Sequence, residues 1–328
     1  MKREKSSGFP RPLRMLPPLL LCASLLAPAV VGHSDSLEAK PVRILVPQAT
    51  AALPFLLMER EKTITGVEMT VAVFLNHPQA LALLLRGEAD LLLTGTSSGW
   101  ESRLDGSPIV MIDTGVWGVS FLVGRDASIR SFADLRGRTI ALPFPGSPLD
   151  FQTRAILARE KMDPDRDLAV RYGPFVQSVQ KLLAGQLDAA ALPEPLATTV
   201  VRRNGLLRLF GYAEAWARAT GGDGRSPQVS LFSTEAFAKS RKDLIVTLVH
   251  AWRDASRKVA NDPRQPSSWF APALSADPDV LEEATRNTML SVPAFDENRA
   301  RVSRYYKDVA RFLPGGERQL EERFFFAP

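Results

Sequence analysis

The chain has 328 residues, 45% of them hydrophobic and 23% charged, enough to bury a large core and to form two lobes. Its 41 Lys and Arg against 36 Asp and Glu give a formal +5, yet residues 1–32 alone hold Lys2, Arg3, Lys5, Arg11 and Arg14 against Glu4; the remainder, with 36 basic and 35 acidic residues, lacks the field of a nucleic-acid or acidic-membrane binder. The single cysteine, Cys22, falls in the same leading segment, which leaves the rest without a disulfide, a thiolate zinc site or a cysteine nucleophile.

The chain opens with basic residues ending at Arg14. An almost wholly apolar run from Met15 to Val31 follows, then small residues before the polar His33-Ser34-Asp35-Ser36. This is the three-part order of a secretory signal peptide. Val30 and Gly32 suit a peptidase pocket, which puts cleavage after Gly32, with Ala29 as the alternative. As an uncleaved anchor the run is short and broken by Pro17, Pro18 and Pro28, against the roughly 20 residues a span needs. Leu21 stands where a small residue is wanted before a lipidated Cys22, which argues against a lipoprotein.

Beyond a polar lead-in, strand-like and helix-like units alternate. Val42–Val46 reads as a strand and Ala52–Lys62 as a helix; Val67–Phe74 alternates like a strand. Pro78–Arg86 is a helix with proline in its first turn, ended by Gly87, and Ala89–Leu93 is a buried strand. The rhythm continues through Arg138–Leu142 (strand), Leu149–Lys161 (helix), Leu168–Tyr172 (strand), Val176–Ala184 (helix) and Asp188–Leu192 (strand). Such alternation predicts an α/β fold with mostly parallel sheets. From Arg241 the chain is mainly helical, punctuated by Pro263, Pro266, Pro272, Pro278, Pro293 and Pro314.

Two segments echo one another at an offset of 98 residues. Gln79–Leu93 (QALALLLRGEADLLL) and Gln177–Ala191 (QSVQKLLAGQLDAAA) share the glutamine, the paired leucines, Gly87 with Gly185, and Asp90 with Asp188. Each is an amphipathic helix, a glycine stop, an acid and an apolar strand. Any two helix–strand units look somewhat alike; one copy in each half nevertheless fits two similar lobes.

Ser131–Ala141 (SFADLRGRTIA) resembles the s-x-x-D-L-K-G-K-x-I-a segment of type II periplasmic solute-binding proteins. Pro143-Phe144-Pro145-Gly146-Ser147 is similar to their Gly-Ser loop opening a helix, and Leu183–Ala190 followed by Glu194-Pro195 to their l-x-x-G-x-v-D-A-a … e-P signature. Within that fold the resemblance is best to the nitrate/sulfonate/taurine and thiamine-precursor binding branch. It covers essentially the whole mature chain, and the order of motifs is more specific than any one of them. The resemblance implies a two-lobed periplasmic-binding-protein type II fold, each lobe a mostly parallel sheet flanked by helices. Residues 40–118 plus 229–328 would form lobe one and 121–226 an inserted lobe two. Val116–Val123 and Gln228–Phe232 would run through the hinge, and closure would follow a hinge motion.

Ligands of open α/β sheets bind beyond the carboxyl ends of the strands, and helix N-termini there offer anion sites without any lysine. This rule selects Gln48 and Thr50 with Ala49 after the first strand, Asn76 and His77 before the next helix, and Thr94, Thr96 and Ser97 around Gly95. In lobe two it selects Gly146, Ser147 and Asp150 at a helix start and Glu194 beyond a strand, with Trp117 as an aromatic wall at the first crossover. Each has an alternative: Thr96, Ser97 and Ser147 as N-caps, His77 as a cap or surface residue, Trp117 as hinge core, Glu194 as a cap or an anchor for a buried arginine. A cleft-facing Glu194 would disfavour a bare inorganic anion and favour an amine, amidine or ring N–H, hence a small organic, zwitterionic or heteroaromatic solute.

No HExxH, GxSxG, P-loop or Rossmann GxGxxG occurs, and the histidines are His33, His77 and His250 alone. No catalytic residue, metal ligand or cofactor is therefore expected. The basic residues of Arg299–Arg311 (Arg299, Arg301, Arg304, Lys307 and Arg311) fall around a helix together with Asp296, Glu297 and Asp308, as on a solvated helix face. The function implied by the resemblance is a monomeric periplasmic solute-binding subunit, delivering its solute to an inner-membrane ABC permease with a cytoplasmic ATPase. The alternatives are an enzyme of cofactor biosynthesis on the same fold, against which the export signal argues, and a solute-sensing receptor subunit.

Overall fold

A computed structural model describes residues 40–312 and 321–328; the expected export segment, residues 1–32 with Cys22, lies outside the described residues. The first half runs β1 (Val42–Pro47), α1 (Leu53–Glu61), β2 (Met69–Phe74), α2 (His77–Leu85), β3 (Leu91–Gly95), α3 (Thr96–Leu104) and β4 (Ile109–Val116). After a crossing at Trp117–Val119 come β5 (Ser120–Gly124), β6 (Thr139–Leu142), α4 (Pro148–Arg159), β7 (Ala169–Tyr172), α5 (Phe175–Leu183) and β8 (Ala189–Pro193). The inserted part ends with α6 (Leu196–Asn204), β9 (Leu207–Gly211) and α7 (Tyr212–Thr220). The return leads to β10 (Val229–Thr234), α8 (Glu235–Ser240), α9 (Lys242–Asn261), α10 (Arg264–Phe270), α11 (Pro278–Arg286) and α12 (Phe295–Val309).

These strands form two five-stranded sheets of the same plan, β2-β1-β3-β10-β4 and β7-β6-β8-β5-β9. In each, one strand runs antiparallel to the rest: β10 between β3 and β4, and β5 between β8 and β9. Both antiparallel strands are the ones that have just crossed from the other sheet. The inner parallel strands β3 and β8 are buried apolar runs, while the edge strands β2 and β7 are part-exposed.

The echo at offset 98 marks the same place in the two sheets. Ile44 pairs with Leu91 in the first sheet and Ile140 with Ala189 in the second. Gly87 and Gly185 end their helices with φ of 69° and 71°, a conformation glycine adopts without strain. Asp90 accepts the Arg43 N–H at 2.8 Å and returns its own N–H to the Arg43 carbonyl at 2.9 Å. Asp188 accepts the Thr139 N–H at 2.7 Å and returns its N–H to the Thr139 carbonyl at 2.9 Å. A guanidinium binds the second oxygen in both, Arg43 at 2.8 Å and Arg138 at 3.2 Å. Each acid thus staples its third strand to its first. The sequence pattern starts the third strand at Ala89 and Asp188; the sheets begin at Leu91 and Ala189, because the acid belongs to the staple.

The expected single strand Val116–Val123 is broken in two. Trp117 gives its N–H to the Met289 carbonyl at 3.1 Å and its carbonyl to the Ser226 N–H at 3.0 Å, while Gln228 N–H reaches the Val116 carbonyl at 2.9 Å. Met289 N–H returns to the Gly118 carbonyl at 2.8 Å, and Ser291 N–H to the Gly115 carbonyl at 3.0 Å. The first crossing therefore lies between the second crossing and the segment after α11, bonded to both. Gly115 is obligatory here, since a Cβ would fall 2.0 Å from the Trp252 ring.

Three apolar clusters hold the layers. One lies between the first sheet and α1 with α9, where Phe55 meets Trp252 at 5.0 Å. A small one lies under α5 and α6 on the second sheet. The third is continuous from Trp100 and Met111 on the first sheet through Val302, Tyr305 and Tyr306 of α12 to Phe151 and Trp216 on the second. Among the described residues, no helix is long and apolar enough to cross a membrane. Asp90→Ala and Asp188→Ala should each destabilise the protein, by about 1–3 kcal/mol for lost charge-assisted bonds to backbone, as read by urea unfolding. A neutral outcome at either position contradicts their equivalence.

Candidate functional site

The carboxyl ends of β1, β2 and β3 present the residues selected from the first sheet. Beyond β1, Gln48 N–H bonds the Phe74 carbonyl at 3.1 Å and its Nε2 reaches Ser275 Oγ at 3.0 Å. The helical turn Thr50–Ala52 opens with no side-chain cap. The buried Thr50 hydroxyl meets Thr288 Oγ1 at 2.9 Å; Thr288 donates to the Ala284 carbonyl at 2.8 Å, which makes Thr50 the donor of the pair. Beyond β2, Asn76 caps α2 by accepting the Gln79 N–H at 2.9 Å. His77 turns Nδ1 to Thr94 Oγ1 at 2.7 Å and its ring edge to Phe74, and desolvation of the imidazole lowers its pKa, which keeps it neutral.

Beyond β3, α3 starts at Gly95 with no side-chain cap, so the charge of its N-terminal N–H groups is left open. Thr96 N–H is held by the Gln228 carbonyl at 3.0 Å. Its hydroxyl joins Ser230 Oγ and, through it, Thr114 Oγ1, both at 2.8 Å. Ser97 is 2% exposed, and its hydroxyl makes no hydrogen bond among the described residues.

On the second sheet, Gly146 (φ +74°) turns the chain into α4, which Ser147 caps by accepting the Asp150 N–H at 3.2 Å. Asp150 is engaged internally: it accepts Gly146 N–H at 2.8 Å, Arg154 Nε at 3.0 Å and the Tyr172 hydroxyl at 2.8 Å. One residue pair further along α4, Gln152 carries the connection between the sheets. Its Nε2 donates to Ser226 Oγ at 3.0 Å, and its Oε1 accepts Gln228 Nε2 at 3.0 Å. Gln228 in turn holds Thr96, so the first turns of α3 and α4 are tied through one buried relay.

Two selected residues take their structural alternatives. Trp117 is fully buried and gives Nε1 to the Ser291 carbonyl at 2.8 Å, which makes it hinge core and not a cleft wall. Glu194 is 1% exposed and both caps α6 and anchors an arginine. Its oxygens accept Thr198 N–H at 3.0 Å, Thr198 Oγ1 at 2.9 Å, Arg208 at 2.8 Å and Asn287 Nδ2 at 3.2 Å. Burial pushes its pKa up against the pull of Thr198 and Arg208. Four donors fill the capacity of a carboxylate. The expectation that Glu194 selects an amine-bearing solute therefore loses its physical basis.

The selected residues thus gather at the carboxyl ends of β1, β2 and β3 on one sheet and β6 and β8 on the other. Gln152, Ser226, Gln228, Asn287 and Arg208 escaped sequence reasoning, being single polar residues far apart in the chain. A hollow of about 610 Å³ lined by Arg43, Glu68, Asp90 and Arg241 lies at the amino ends of the first sheet's strands, away from these residues. Among the described residues no group of His, Cys, Asp and Glu is placed to hold a metal. Of the charges on α12, Arg301 pairs with Asp223 and Glu297, and Asp308 with Arg159.

Residues 54–216 match the family model described as ABC transporter, phosphonate, periplasmic substrate-binding protein. No curated protein matches the chain. The fold is that of an ABC transporter structure from Parabacteroides distasonis, at TM-score 0.70 and 17% identity over 87% of this chain and 98% of that one. The periplasmic aliphatic sulphonate binding protein SsuA from Escherichia coli superposes at TM-score 0.64 and 17% identity, covering 86% and 94%. The periplasmic nitrate-binding protein NrtA from Synechocystis does so at 0.65 and 12%, covering 84% and 82%. At such identities the structures establish the shared fold.

Glu194→Ala should cost about 3 kcal/mol, because it leaves Arg208 half-buried without its counter-charge. Chemical denaturation reads this, and a loss below about 0.5 kcal/mol contradicts the anchoring role.

Proposed function

We propose that this chain, which belongs to the periplasmic substrate-binding proteins of ABC transporters, captures a small solute through an anionic group held between its two sheets. Residues 40–118 with 229–328 act as one lobe and 121–226 as the other. The observation that carries this reading is the meeting of helix N-termini. The turn before α1 and the start of α3 lack side-chain caps, and the start of α4 is tied to α3 through Gln152, Gln228 and Thr96.

Helix N-termini favour negative charge through free N–H groups and the aligned peptide dipoles. The Ser97 hydroxyl and the bonded pair of Thr94 and a neutral His77, which keeps one free proton on either the hydroxyl or Nε2, add donors without adding a cation. The carboxylates beside these strand ends have counter-charges, Glu194 in Arg208 and Asp150, in the first turn of α4, in Arg154. The ligands named for the family and for two of the structural neighbours, phosphonate, sulphonate and nitrate, are all oxyanions. Export by residues 1–32, with cleavage after Gly32, delivers the protein to the periplasm, where it hands its solute to the membrane permease.

Thermal unfolding with methylphosphonate, methanesulfonate, taurine, nitrate and bicarbonate, alongside neutral pyrimidines and amines, tests this directly. An anion at about 100 times its Kd should stabilise by about 2.7 kcal/mol, a shift of several degrees. Ser97→Ala should weaken that anion about tenfold, the worth of one hydrogen bond to a charged group. Stabilisation by amines or neutral rings alone contradicts the reading.

A further inference from the structure

One buried acid takes no part in the candidate site or in the crossings. Asp113 of β4 is 0% exposed. It stands at a bulge: β10 steps from Leu231 to Phe232 while β4 steps from Asp113 to Met111, which leaves Ile112 unpaired. Leu231, opposite it, belongs to the apolar cluster under α9, together with Val110, Ile112, Val116 and Trp252. One carboxyl oxygen accepts the Thr114 N–H at 2.7 Å, and the other has no hydrogen-bond partner among the described residues. Desolvation pushes its pKa up to about 8, against the pull of the Thr114 N–H and of Arg253. At neutral pH the group is an uncharged acid.

Arg253 of α9 is the cation that acts on it, yet the guanidinium is engaged elsewhere. Its Nε donates to the Val292 carbonyl at 2.8 Å and a terminal nitrogen to the Pro293 carbonyl at 2.6 Å. Those carbonyls follow Ser291, whose N–H bonds the Gly115 carbonyl and whose own carbonyl receives Trp117 Nε1. Arg253 thus holds down the segment to which the first crossing is bonded. The other charges around β4 are placed differently. Glu297 of α12 opposes ionisation of Asp113 and accepts Arg301 Nε at 2.8 Å. On α3, Glu101 acts on Tyr306, while Arg103 joins Glu235 of α8 and Glu321 at the Ile109 end of the strand. On α9 itself, His250, Asp254 and Arg257 are exposed.

We propose that Asp113 and Arg253 form a proton-operated switch on this segment: while Asp113 keeps its proton, Arg253 grips the Val292 and Pro293 carbonyls, and when Asp113 ionises the guanidinium is drawn to the carboxylate and lets them go. An unpaired carboxylate in an apolar cluster costs more than the loss of two hydrogen bonds, so ionisation recruits the cation that already acts on it. In the unfolded chain an aspartate ionises near about 3.9. Between about pH 4 and pH 8 the folded protein keeps a proton that the unfolded chain has lost, so stability falls as pH rises through this window and levels off above it. The switch is thrown at the upper end of the window. No ligand enters the argument, and the inference does not rest on the proposed anion.

Urea unfolding of the unliganded protein across about pH 5 to 9, beside Asp113→Asn as an isostere of the uncharged acid, tests the proton. The unfolding equilibrium constant of the unaltered protein should rise relative to that of Asp113→Asn by up to about tenfold per pH unit below about pH 8. Nuclear magnetic resonance of the folded protein tests the switch. The Ser291 and Val292 amide signals and the Trp117 indole signal should move together with a midpoint near about pH 8 and stay still in Asp113→Asn. Arg253→Gln removes the cation and should carry the Asp113 midpoint to higher pH. Superimposable stability profiles for the unaltered protein and Asp113→Asn overturn the inference. So do signals that stay still while Asp113 titrates, or a midpoint that Arg253→Gln leaves unmoved. Every readout is taken without ligand, so absence of anion binding in the thermal assay leaves the outcome intact.

Discussion

The backbone bonds around Trp117 are the constraint on which the rest of the protein depends. The chain crosses between its sheets twice, and at that point the first crossing is bonded to the second through Ser226 and Gln228 and to the segment after α11 through Met289 and Ser291. Each sheet then receives its antiparallel strand from the crossing itself, β5 on the way out and β10 on the way back. That placement gives both sheets one plan, with the carboxyl ends of their parallel strands as the common location of the candidate site.

The junction also explains how charge is handled. Beyond residue 32 the chain is nearly neutral, with 36 basic and 35 acidic residues, and the buried acids at these strand ends are compensated locally, Glu194 by Arg208 and Asp150 by Arg154. What remains unopposed at the strand ends is the partial charge of helix termini and the hydroxyls around them. On the proposed reading, such a site would attract an oxyanion through fixed dipoles while carrying no net charge of its own. It needs no side chain to be desolvated in a charged state on binding.

Much of the architecture was legible because buried parallel strands and capped helices leave strong local marks. The echo of Gln79–Leu93 in Gln177–Ala191 turned out to be two copies of one device, down to the acid that staples the first strand. That Gly146, Ser147 and Thr96 lie where strands end and helices begin was legible for the same reason. The roles of Trp117 and Glu194 were not, because what decides them is the partner: Ser291 for one, and Arg208 with Asn287 for the other. Those partners lie between 14 and 174 residues away. The relay through Gln152, Ser226 and Gln228 was invisible for the same reason, being three side chains whose meaning exists only once the crossings are folded.

The central claim is that one solute is held by helix starts from both sheets at once. Amide hydrogen exchange of the protein with and without the anion that stabilises it most measures this directly. The account predicts slowed exchange together in the segments carrying Thr50–Ala52 and Thr96–Gly99 of the first sheet and Ser147–Asp150 of the second. Protection confined to one sheet, or centred on the hollow beside Arg43 and Arg241, would contradict it.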